Sequence, residues 1–570
     1  MRKTFLILFM LFFMMNFSCS TGSSSSVLKF ITTTLPAGIT TISYSEIIEA
    51  RGGRKPYSFN LAFGAMPDGL NLRYNTGEIY GTPTTAGVFD FTIRISDTSA
   101  TPQFVDQQFS IEMVDVLEIT TTMLANGSEN IPYTDFVVVA GGKTPYVFTL
   151  TSGSLPVGYQ LNMSTGEIYG TTTITATYDF EITVIDSSFP KQMTKKTLSI
   201  EINPPFGSWS DINYSSRQPS ARYHHYSYYC SITNRLYVMF GTNGVTYYNN
   251  GGYYSFVDNA WHTMSTSGAP SERFNGSCVE MGDPPFAANI NHLMIWGGET
   301  ALGIYTDTGG MYGTENNRWG SIVASTTTQV PSPRSEFVSV GLGNYEALFF
   351  GGVLQGGSLS QDAYHYSFDN VAFESKWTKV NSPPISARRG AKGVKVGTNV
   401  YVWGGMASGG VEDTGAIYNT NTANWTPMTA TDAPAARWNH IMMAAGNKIV
   451  VWGGDDNSGN YFNDGGIYDT SNNTWTAIYL GGALSKRSCA AAAYNSGTGE
   501  VYIWGGWNGT NYFDSGAAFK ASGNTWRTMT TNAAPAVRKD HTITWTGTQL
   551  IVFGGRNSAG AITEPKAFTP

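Results

Sequence analysis

The feature that most constrains the fold is a strand motif that recurs seven times between residues 204 and 570. Each copy is a short apolar run that ends in glycine, and successive glycines lie 49 to 56 residues apart. These glycines are Gly241, Gly297, Gly351, Gly404, Gly453, Gly505 and Gly554. Six copies carry a second glycine, whereas the first has Thr242 in that place. A repeat of about 50 residues indicates an array of copies of one supersecondary unit.

Three further elements recur with each copy in a fixed order. An arginine precedes the glycine-ending strand, a tryptophan closes the repeat, and in five copies an aromatic residue lies seven positions before that tryptophan. The arginines are Arg222, Arg273, Arg334, Arg388, Arg437, Arg487 and Arg538, and the tryptophans are Trp261, Trp319, Trp377, Trp425, Trp475 and Trp526. This ordered set resembles the kelch repeat over residues 204–570. The resemblance implies one four-stranded propeller blade per copy, and so a seven-bladed propeller of the galactose oxidase/kelch superfamily.

The last copy is incomplete, because the chain ends at Pro570 directly after its third predicted strand. An unassigned tryptophan, Trp209, precedes the first repeat arginine. We expect the strand around Trp209 to complete the last blade, since ring closure removes exposed sheet edges.

A second repeat occupies residues 27–203. The heptapeptide TGEIYGT occurs at Thr76–Thr82 and again at Thr165–Thr171, an offset of 89 residues. Each copy ends in alternating apolar residues, which is typical of a half-buried strand. The two segments, 27–115 and 116–203, resemble an Ig-like, cadherin-like family of bacterial surface proteins, which implies spacer or adhesion modules. The predicted fold class is therefore all-β, with two Ig-like β-sandwiches followed by the propeller.

Some members of that family bind calcium at domain junctions, and Asp97 and Asp186 are the acids at a suggestive position here. Two lone carboxylates are a poor calcium site, because the ion takes six to eight oxygen ligands. We expect both side chains to be solvated at strand ends, and calcium binding there stays open.

The N-terminus carries a targeting signal. Arg2 and Lys3 precede an apolar run that is too short to span a membrane as a helix. The sequence then resembles a bacterial lipoprotein signal: residues 1–18 as the signal peptide, Cys19 as the acylated residue, and a Ser-rich tether over 19–26. The expected location is the outer membrane or cell surface, held to the membrane by lipid; ordinary cleavage and secretion is the alternative.

Charge excludes one class of partner. The net charge is −7 and only 13% of residues are charged, so a nucleic-acid binder, which needs a clustered basic surplus, is not expected.

Candidate chemistry is sparse. The repeated arginine could suggest a sialidase, but its presence in every copy favours a structural role. His224, His225, His440 and His541 follow repeat arginines, and we expect them to be hydrogen-bonded structural residues. Cys230, Cys278 and Cys489 are expected to be buried free thiols, with a Cys230–Cys278 disulfide as the alternative. We predict no catalytic residue, no metal ligand and no cofactor.

The loops between the second and third strands of the repeats are long, polar and rich in tyrosine. Aromatic rings beside amides suit protein or carbohydrate recognition. The predicted ligand-binding residues are Tyr247, Tyr305, Tyr461, Phe462, Trp507 and Tyr512. The predicted function is binding or adhesion to an extracellular protein or glycan. A galactose oxidase-like or sialidase-like carbohydrate-active enzyme and a purely structural surface protein are the alternatives.

Overall fold

The computed structural model of the protein describes residues 26–213, 215–282, 291–322, 329–369, 374–482 and 484–570. All regular elements in these residues are β-strands, which confirms the all-β class. Within these ranges, no helix has the length and apolar character needed to cross a membrane. The predicted signal peptide, Cys19 and all of the predicted tether except Ser26 lie outside the described residues.

The first Ig-like copy is built from one four-stranded, one three-stranded and one two-stranded sheet. In sheet order the strands are Gly38–Ile39, Phe104–Val114, Gly87–Ser96 and Ser58–Gly64; Tyr44–Ile47, Glu78–Gly81 and Leu70–Leu72; and Lys29–Phe30 and Ala50–Arg51. Phe91, Ile93 and Ile95 are buried at alternating positions of one strand, as the sequence pattern predicts.

The second Ig-like copy repeats this arrangement strand for strand. Its strands are Gly127–Ser128, Met193–Asn203, Thr177–Ile185 and Val147–Gly153; Tyr133–Phe136, Glu167–Gly170 and Tyr159–Leu161; and Glu118–Ile119 and Val139–Ala140. Phe180, Ile182 and Val184 form the corresponding buried positions. The equal topology shows that the sequence repeat is a repeat of structure.

Asp97 and Asp186 are not solvated, and this expectation was wrong. Both are buried, and Asp97 accepts hydrogen bonds from the backbone N–H groups of Arg54 (2.9 Å) and Gln103 (2.8 Å). A bond from the Ser99 hydroxyl, together with these backbone donors, lowers the pKa of Asp97 to about 2. A carboxylate whose oxygens are occupied by N–H and O–H donors holds a turn together and has little left for a cation.

Seven four-stranded antiparallel sheets follow, each with its strands in meander order. Sheets 1 to 4 are Tyr226–Cys230, Arg235–Met239, Gly251–Ser255, Ala260–Thr263; Ser277–Glu280, His292–Trp296, Gly309–Gly313, Arg318–Ser321; Val338–Gly343, Glu346–Phe350, Ala363–Asp369, Glu374–Val380; and Lys392–Val396, Asn399–Trp403, Gly415–Asn419, Asn424–Pro427. Sheets 5 and 6 are Ile441–Ala445, Lys448–Trp452, Gly465–Asp469, Thr474–Ala477; and Ala491–Asn495, Glu500–Trp504, Gly516–Lys520, Thr525–Thr528.

Sheet 7 is assembled from both ends of this region. Its strands are Thr542–Trp545, Leu550–Phe553, Lys566–Thr569 and Ser208–Asp211. Trp209 lies opposite Phe568 in the register, with ring centroids 5.0 Å apart, and its indole N–H donates to the carbonyl of Thr530 at 2.8 Å. The strand that precedes the repeats thus supplies the outer edge of the last sheet.

The Gly-Gly pair connects each sheet to the next. In all seven sheets a glycine N–H donates to the carbonyl of the repeat arginine of the following sheet, at 2.8 to 3.0 Å. These bonds include one from Gly555 of sheet 7 to Arg222 of sheet 1, at 2.9 Å. Sheets 1 and 7 also meet through His225 and Thr542, at 2.9 Å.

The first copy lacks one glycine of the pair, and the expectation that Thr242 takes the place of the missing glycine was wrong. Gly241 makes the bond to Arg273 that the second glycine makes in other copies, so the residue that replaces a glycine is Phe240. Phe240 has the left-handed φ of 59° that glycine normally supplies. In four other copies the first glycine lies against the aromatic ring of the residue three positions after the next arginine, and in the first copy the residue at that position is Gly276. The large and small residues have exchanged places across the sheet boundary.

The repeat arginines are structural, as the sequence favoured. All seven are at most 1% exposed. Arg437 is representative: its Nη1 donates to the carbonyls of Gly453 and Asp464, both at 3.0 Å, and its Nε donates to the carbonyl of Ala435 at 2.8 Å. Each guanidinium therefore ties the end of a Gly-Gly strand to the following loop.

The second Ig-like domain contacts the outer edge of the seven-sheet region. Tyr479 follows the last strand of sheet 5, and its hydroxyl donates to the buried carboxylate of Asp135 and to the carbonyl of Met123. Its ring packs against the core of the second Ig-like domain. The equivalent residue of the preceding repeat is Thr429, so the contact depends on a residue that is particular to one repeat.

Candidate functional site

One rim of the seven sheets is formed by two sets of segments that pair with each other. The residue after each repeat arginine forms an antiparallel β-pairing with the residue that follows the Gly-Gly pair. In most repeats this second residue also pairs with a residue of the loop that follows it. In sheet 5 the set is Trp438, Asp455 and Tyr461, and the corresponding loop residues of sheets 1 and 6 are Tyr247 and Tyr512. The rim is thus a set of small pairings, most of them three-stranded, at which each repeat presents different side chains.

The second residue after every repeat arginine has a left-handed backbone, with φ between 50° and 63°. These residues are His224, Asn275, Glu336, Gly390, Asn439, Cys489 and Asp540. Backbone N–H to C=O bonds join several of them in series, for example Gly390 to Glu336 at 2.8 Å and His224 to Asp540 at 3.3 Å. Non-glycine residues pay for this conformation, and such positions cluster at functional sites.

The same seven residues line a cavity of about 510 Å³, which we call the channel mouth. Its volume lies within the range of about 300–1,000 Å³ that is typical of small-ligand sites. Because every repeat contributes to the wall, the cavity exists only when all seven sheets are assembled.

Two acids of the channel mouth are paired with arginines. Arg556 Nε donates to Asp540 Oδ2 at 2.7 Å, and Arg389 Nη1 lies 3.6 Å from Glu336 Oε2. Burial alone would raise the pKa of the Asp540 carboxyl, but the charges of His224 and Arg556 outweigh it and hold the pKa below its ordinary value. Asp540 is therefore ionised and compensated.

Lys392 differs from these charged groups. It begins the first strand of sheet 4, and its side chain is exposed to the channel mouth. The surrounding protein walls remove bulk water and lower the pKa of its ammonium, although Cys489, Glu336 and Asp540 act in the opposite direction. Among the described residues, nothing forms a hydrogen bond or ion pair with this ammonium group.

Three of the predicted ligand-binding residues lie together beside the channel mouth. Trp507 is flanked by Tyr461, with ring centroids 5.6 Å apart, and by Tyr512 at 6.3 Å. The ammonium of Lys539 lies 4.1 Å from the Trp507 ring centroid, which is a cation–π contact. We call Tyr461, Trp507 and Tyr512 the aromatic trio; all three are half-buried.

The other three predicted residues lie apart from the trio. Tyr247 stacks on Phe274 with ring centroids 5.3 Å apart. The backbone N–H of Tyr305 donates to Gln355 Oε1 at 2.9 Å. Phe462 lies over the guanidinium of Arg437 at 4.3 Å, a position held by Phe513 over Arg487 in the next repeat. The repeated contact indicates that Phe462 covers a structural arginine.

Burial disfavours the charged forms of His440, Cys278 and Cys489. The His440 ring packs edge-on against Trp403 of the preceding sheet, at 5.3 Å, and neither ring nitrogen has a hydrogen-bond partner, so the expectation of a hydrogen-bonded histidine was wrong here. Burial holds its pKa well below the ordinary value. Cys230, Cys278 and Cys489 are free thiols, and the alternative disulfide is not formed. Burial raises the pKa of Cys278 and of Cys489 to about 12. The described residues contain no cluster of three His, Cys, Asp or Glu side chains that could hold a metal ion.

The sequence reasoning missed Lys392, Trp438, Lys539 and the acids of the channel mouth. These residues lie one to four positions after the repeat arginines, where the copies disagree with one another. A comparison of the seven copies for disagreement, in place of agreement, would have identified them.

These sheets and their rim carry a kelch-repeat domain, which follows two Ig-like domains. Residues 390–567 match the family model described as the KLHDC2/KLHL20/DRC7 Kelch-repeats domain. Residues 18–112 and 118–203 match the model described as Putative Ig domain.

Curated kelch proteins are similar to part of this chain. Kelch domain-containing protein 3 of Rattus norvegicus is 27% identical over 208 residues, which are 33% of this chain and 53% of that protein. Tip elongation aberrant protein 1 of Schizosaccharomyces pombe is 29% identical over 184 residues, covering 30% and 16% of the two chains. Rab9 effector protein with kelch motifs of Homo sapiens is 38% identical over 85 residues, covering 14% and 23%. The chain spans about half the length of the first of these relatives. Kelch relatives of this kind suggest a protein-interaction domain.

Proposed function

We propose that this chain is a surface-anchored binding lipoprotein whose kelch repeats form a closed seven-bladed propeller that recognises an extracellular protein or glycan at its rim. The observation that carries the proposal is the aromatic trio beside a 510 Å³ channel mouth. Half-buried aromatic rings at the edge of a polar cavity provide contact area at little entropic cost, while the amides and charged groups around them give direction.

Binding is favoured over catalysis by what the reactive groups are doing. A sialidase-like site would use arginines to hold a substrate, whereas these seven guanidiniums donate to backbone carbonyls. A thiol-dependent cofactor or nucleophile would need an accessible thiolate, and burial keeps Cys278 and Cys489 protonated at neutral pH. Propeller folds host many unrelated functions, so the function has to be inferred from the residues of the rim.

Anchoring rests on the N-terminal sequence. In this proposal Cys19 is acylated, the tether over 19–26 leaves the membrane surface, and the two Ig-like domains separate the propeller from it. Replacing Cys19 by Ala should abolish metabolic labelling with palmitate and release the protein from the membrane fraction. Unchanged labelling of Cys19→Ala would refute the lipid anchor and would favour secretion.

The binding proposal is tested with the full chain on a glycan array and in a pull-down from surface extracts, each with and without EDTA. Trp507→Ala should abolish binding of any ligand that the wild-type chain binds in these assays. Tyr74→Ala, which removes a 60%-exposed ring in the first Ig-like domain, is the matched control and should leave binding intact. Equal binding by Trp507→Ala and wild type would refute recognition at the aromatic trio.

A further inference from the structure

The ammonium of Lys392 is the one charged group on the wall of the channel mouth, among the described residues, that the molecule leaves without a close partner. Asp540 is bonded to Arg556, Glu336 lies beside Arg389, and Lys539 lies over the Trp507 ring. A buried or partly desolvated charge without a partner costs free energy. Such a cost is recovered when a ligand supplies the missing opposite charge.

We infer that the channel mouth binds an acidic saccharide whose single carboxylate pairs with Lys392. This inference rests on the proposed function and names the class of its ligand. The carboxylate would accept from the ammonium, a charge-assisted contact that is stronger than a hydrogen bond between neutral groups.

The rest of the wall decides between ligand classes. Glu336 and Asp540 lie on the same wall as Lys392, Lys539 and Arg556, so with neutral histidines the wall carries a net charge of +1. That charge matches a ligand with one carboxylate better than an acidic peptide with several. Sugar hydroxyls can donate to the carboxylates of Glu336 and Asp540. Asn275 offers an amide group that both donates and accepts, whereas Asn439 already donates from Nδ2 to Asp455 at 3.2 Å and offers its amide oxygen as an acceptor.

An aromatic surface completes the site. Trp438 lines the channel mouth, and its indole N–H is held by Asp455 Oδ1 at 2.6 Å, which fixes the ring in place. Arg389 lies 5.4 Å from the centroid of the same ring. A fixed ring of this kind provides the flat apolar surface against which the C–H face of a sugar packs.

The test is titration calorimetry of the full chain with glucuronic or galacturonic acid, and with glucose or galactose as neutral analogues. We expect the acids to bind and the neutral sugars to bind at least tenfold more weakly. Lys392→Met should weaken binding of the acids by about tenfold to a hundredfold, while Lys392→Arg should retain most of it. Lys395→Met, on the same strand, is the matched control, since that ammonium is already bonded to the carbonyl of Leu342.

Three results would overturn the inference. The first is that neither acid binds, the second is that acidic and neutral sugars bind equally, and the third is that Lys392→Met keeps full affinity for the acids. Loss of binding in Lys392→Met would support the inference only if thermal unfolding shows the variant to be folded; if it is unfolded, Lys392→Gln and Lys392→Arg replace it. The proposed function is judged separately, because Trp507→Ala is measured on the array and pull-down ligands whatever the uronic acids do.

Discussion

Replacing Trp209 by Ala should destabilise the seven-sheet region far more than its place before the first repeat suggests. The side chain is 7% exposed, and its ring lies 5.6 Å from that of Trp504 and 5.0 Å from that of Phe568. Removing a buried tryptophan costs about 3–5 kcal/mol, which includes the cavity left behind. Its hydrogen bond to Thr530 adds about 1 kcal/mol. For a region of this size we expect the melting temperature to fall by roughly 5–10 °C.

The same substitution should also expose a sheet edge. Ser208–Asp211 pairs only with Lys566–Thr569, so loosening it leaves the latter strand unpaired on one side. Hydrogen exchange of the amides in Lys566–Thr569 should become faster, because the free energy needed to open this strand is reduced. Trp475→Ala is the matched control, because Trp475 is 5% exposed, donates its indole N–H to Thr429 at 3.0 Å and lies inside a sheet made from one continuous segment.

Scanning calorimetry and hydrogen exchange together decide the question. Both variants should melt earlier, but only Trp209→Ala should accelerate exchange in Lys566–Thr569. An unchanged melting temperature, or equal exchange in the two variants, would refute the view that the N-terminal strand holds the last sheet in place.

Three further changes test other parts of the structure. Arg437→Met should lower the free energy of unfolding in urea by about 3 kcal/mol or more, because the carbonyl of Gly453 loses its donor and the carbonyl of Asp464 keeps only the N–H of Gly453. A loss below 1 kcal/mol would contradict the structural role. Asp97→Asn should make the first Ig-like domain less sensitive to acid: the pKa of Asp97 is lowered to about 2, so its contribution is present above about pH 4 and is lost as the pH falls through 2. Thermal unfolding between pH 5 and 2 measures this, and equal acid sensitivity of the two proteins would refute it. Tyr479→Ala should increase the radius of gyration of the full chain in X-ray scattering, whereas the matched Thr429→Ala should not; identical profiles would contradict a fixed contact between the second Ig-like domain and the repeats.

Agreement among the repeats was enough to predict the strands, because each strand depends on local alternation and on a glycine whose position the sequence shows. It was not enough to place the first copy correctly. Phe240 adopts a backbone that only glycine adopts readily, and the residue that presents an aromatic ring to the first glycine in four other copies is Gly276 here. This compensation joins residues of two different repeats, so no single repeat shows it.

The candidate site was predictable only in part, for a related reason. Tyr461, Trp507 and Tyr512 were predicted because aromatic residues in a polar loop are easy to recognise, and the structure places the three side by side. Phe462 looks the same in sequence, yet it covers the guanidinium of a structural arginine. Lys392 is the first residue of a strand, so it does not stand out in sequence as a polar loop residue would. Its proposed role depends on the charged groups that other repeats place around it.

The rim also explains how a repeat protein can acquire a site that no single repeat contains. The contacts that join neighbouring sheets use backbone N–H and C=O groups together with one buried arginine. Backbone hydrogen bonds do not depend on which side chain a residue carries. The residue two positions after each arginine can therefore vary while the sheets stay joined. From the first repeat to the seventh, that position is His, Asn, Glu, Gly, Asn, Cys and Asp. Seven similar sheets thus place one glycine and six side chains of five kinds at the wall of one cavity, and a specific ligand would require such asymmetry.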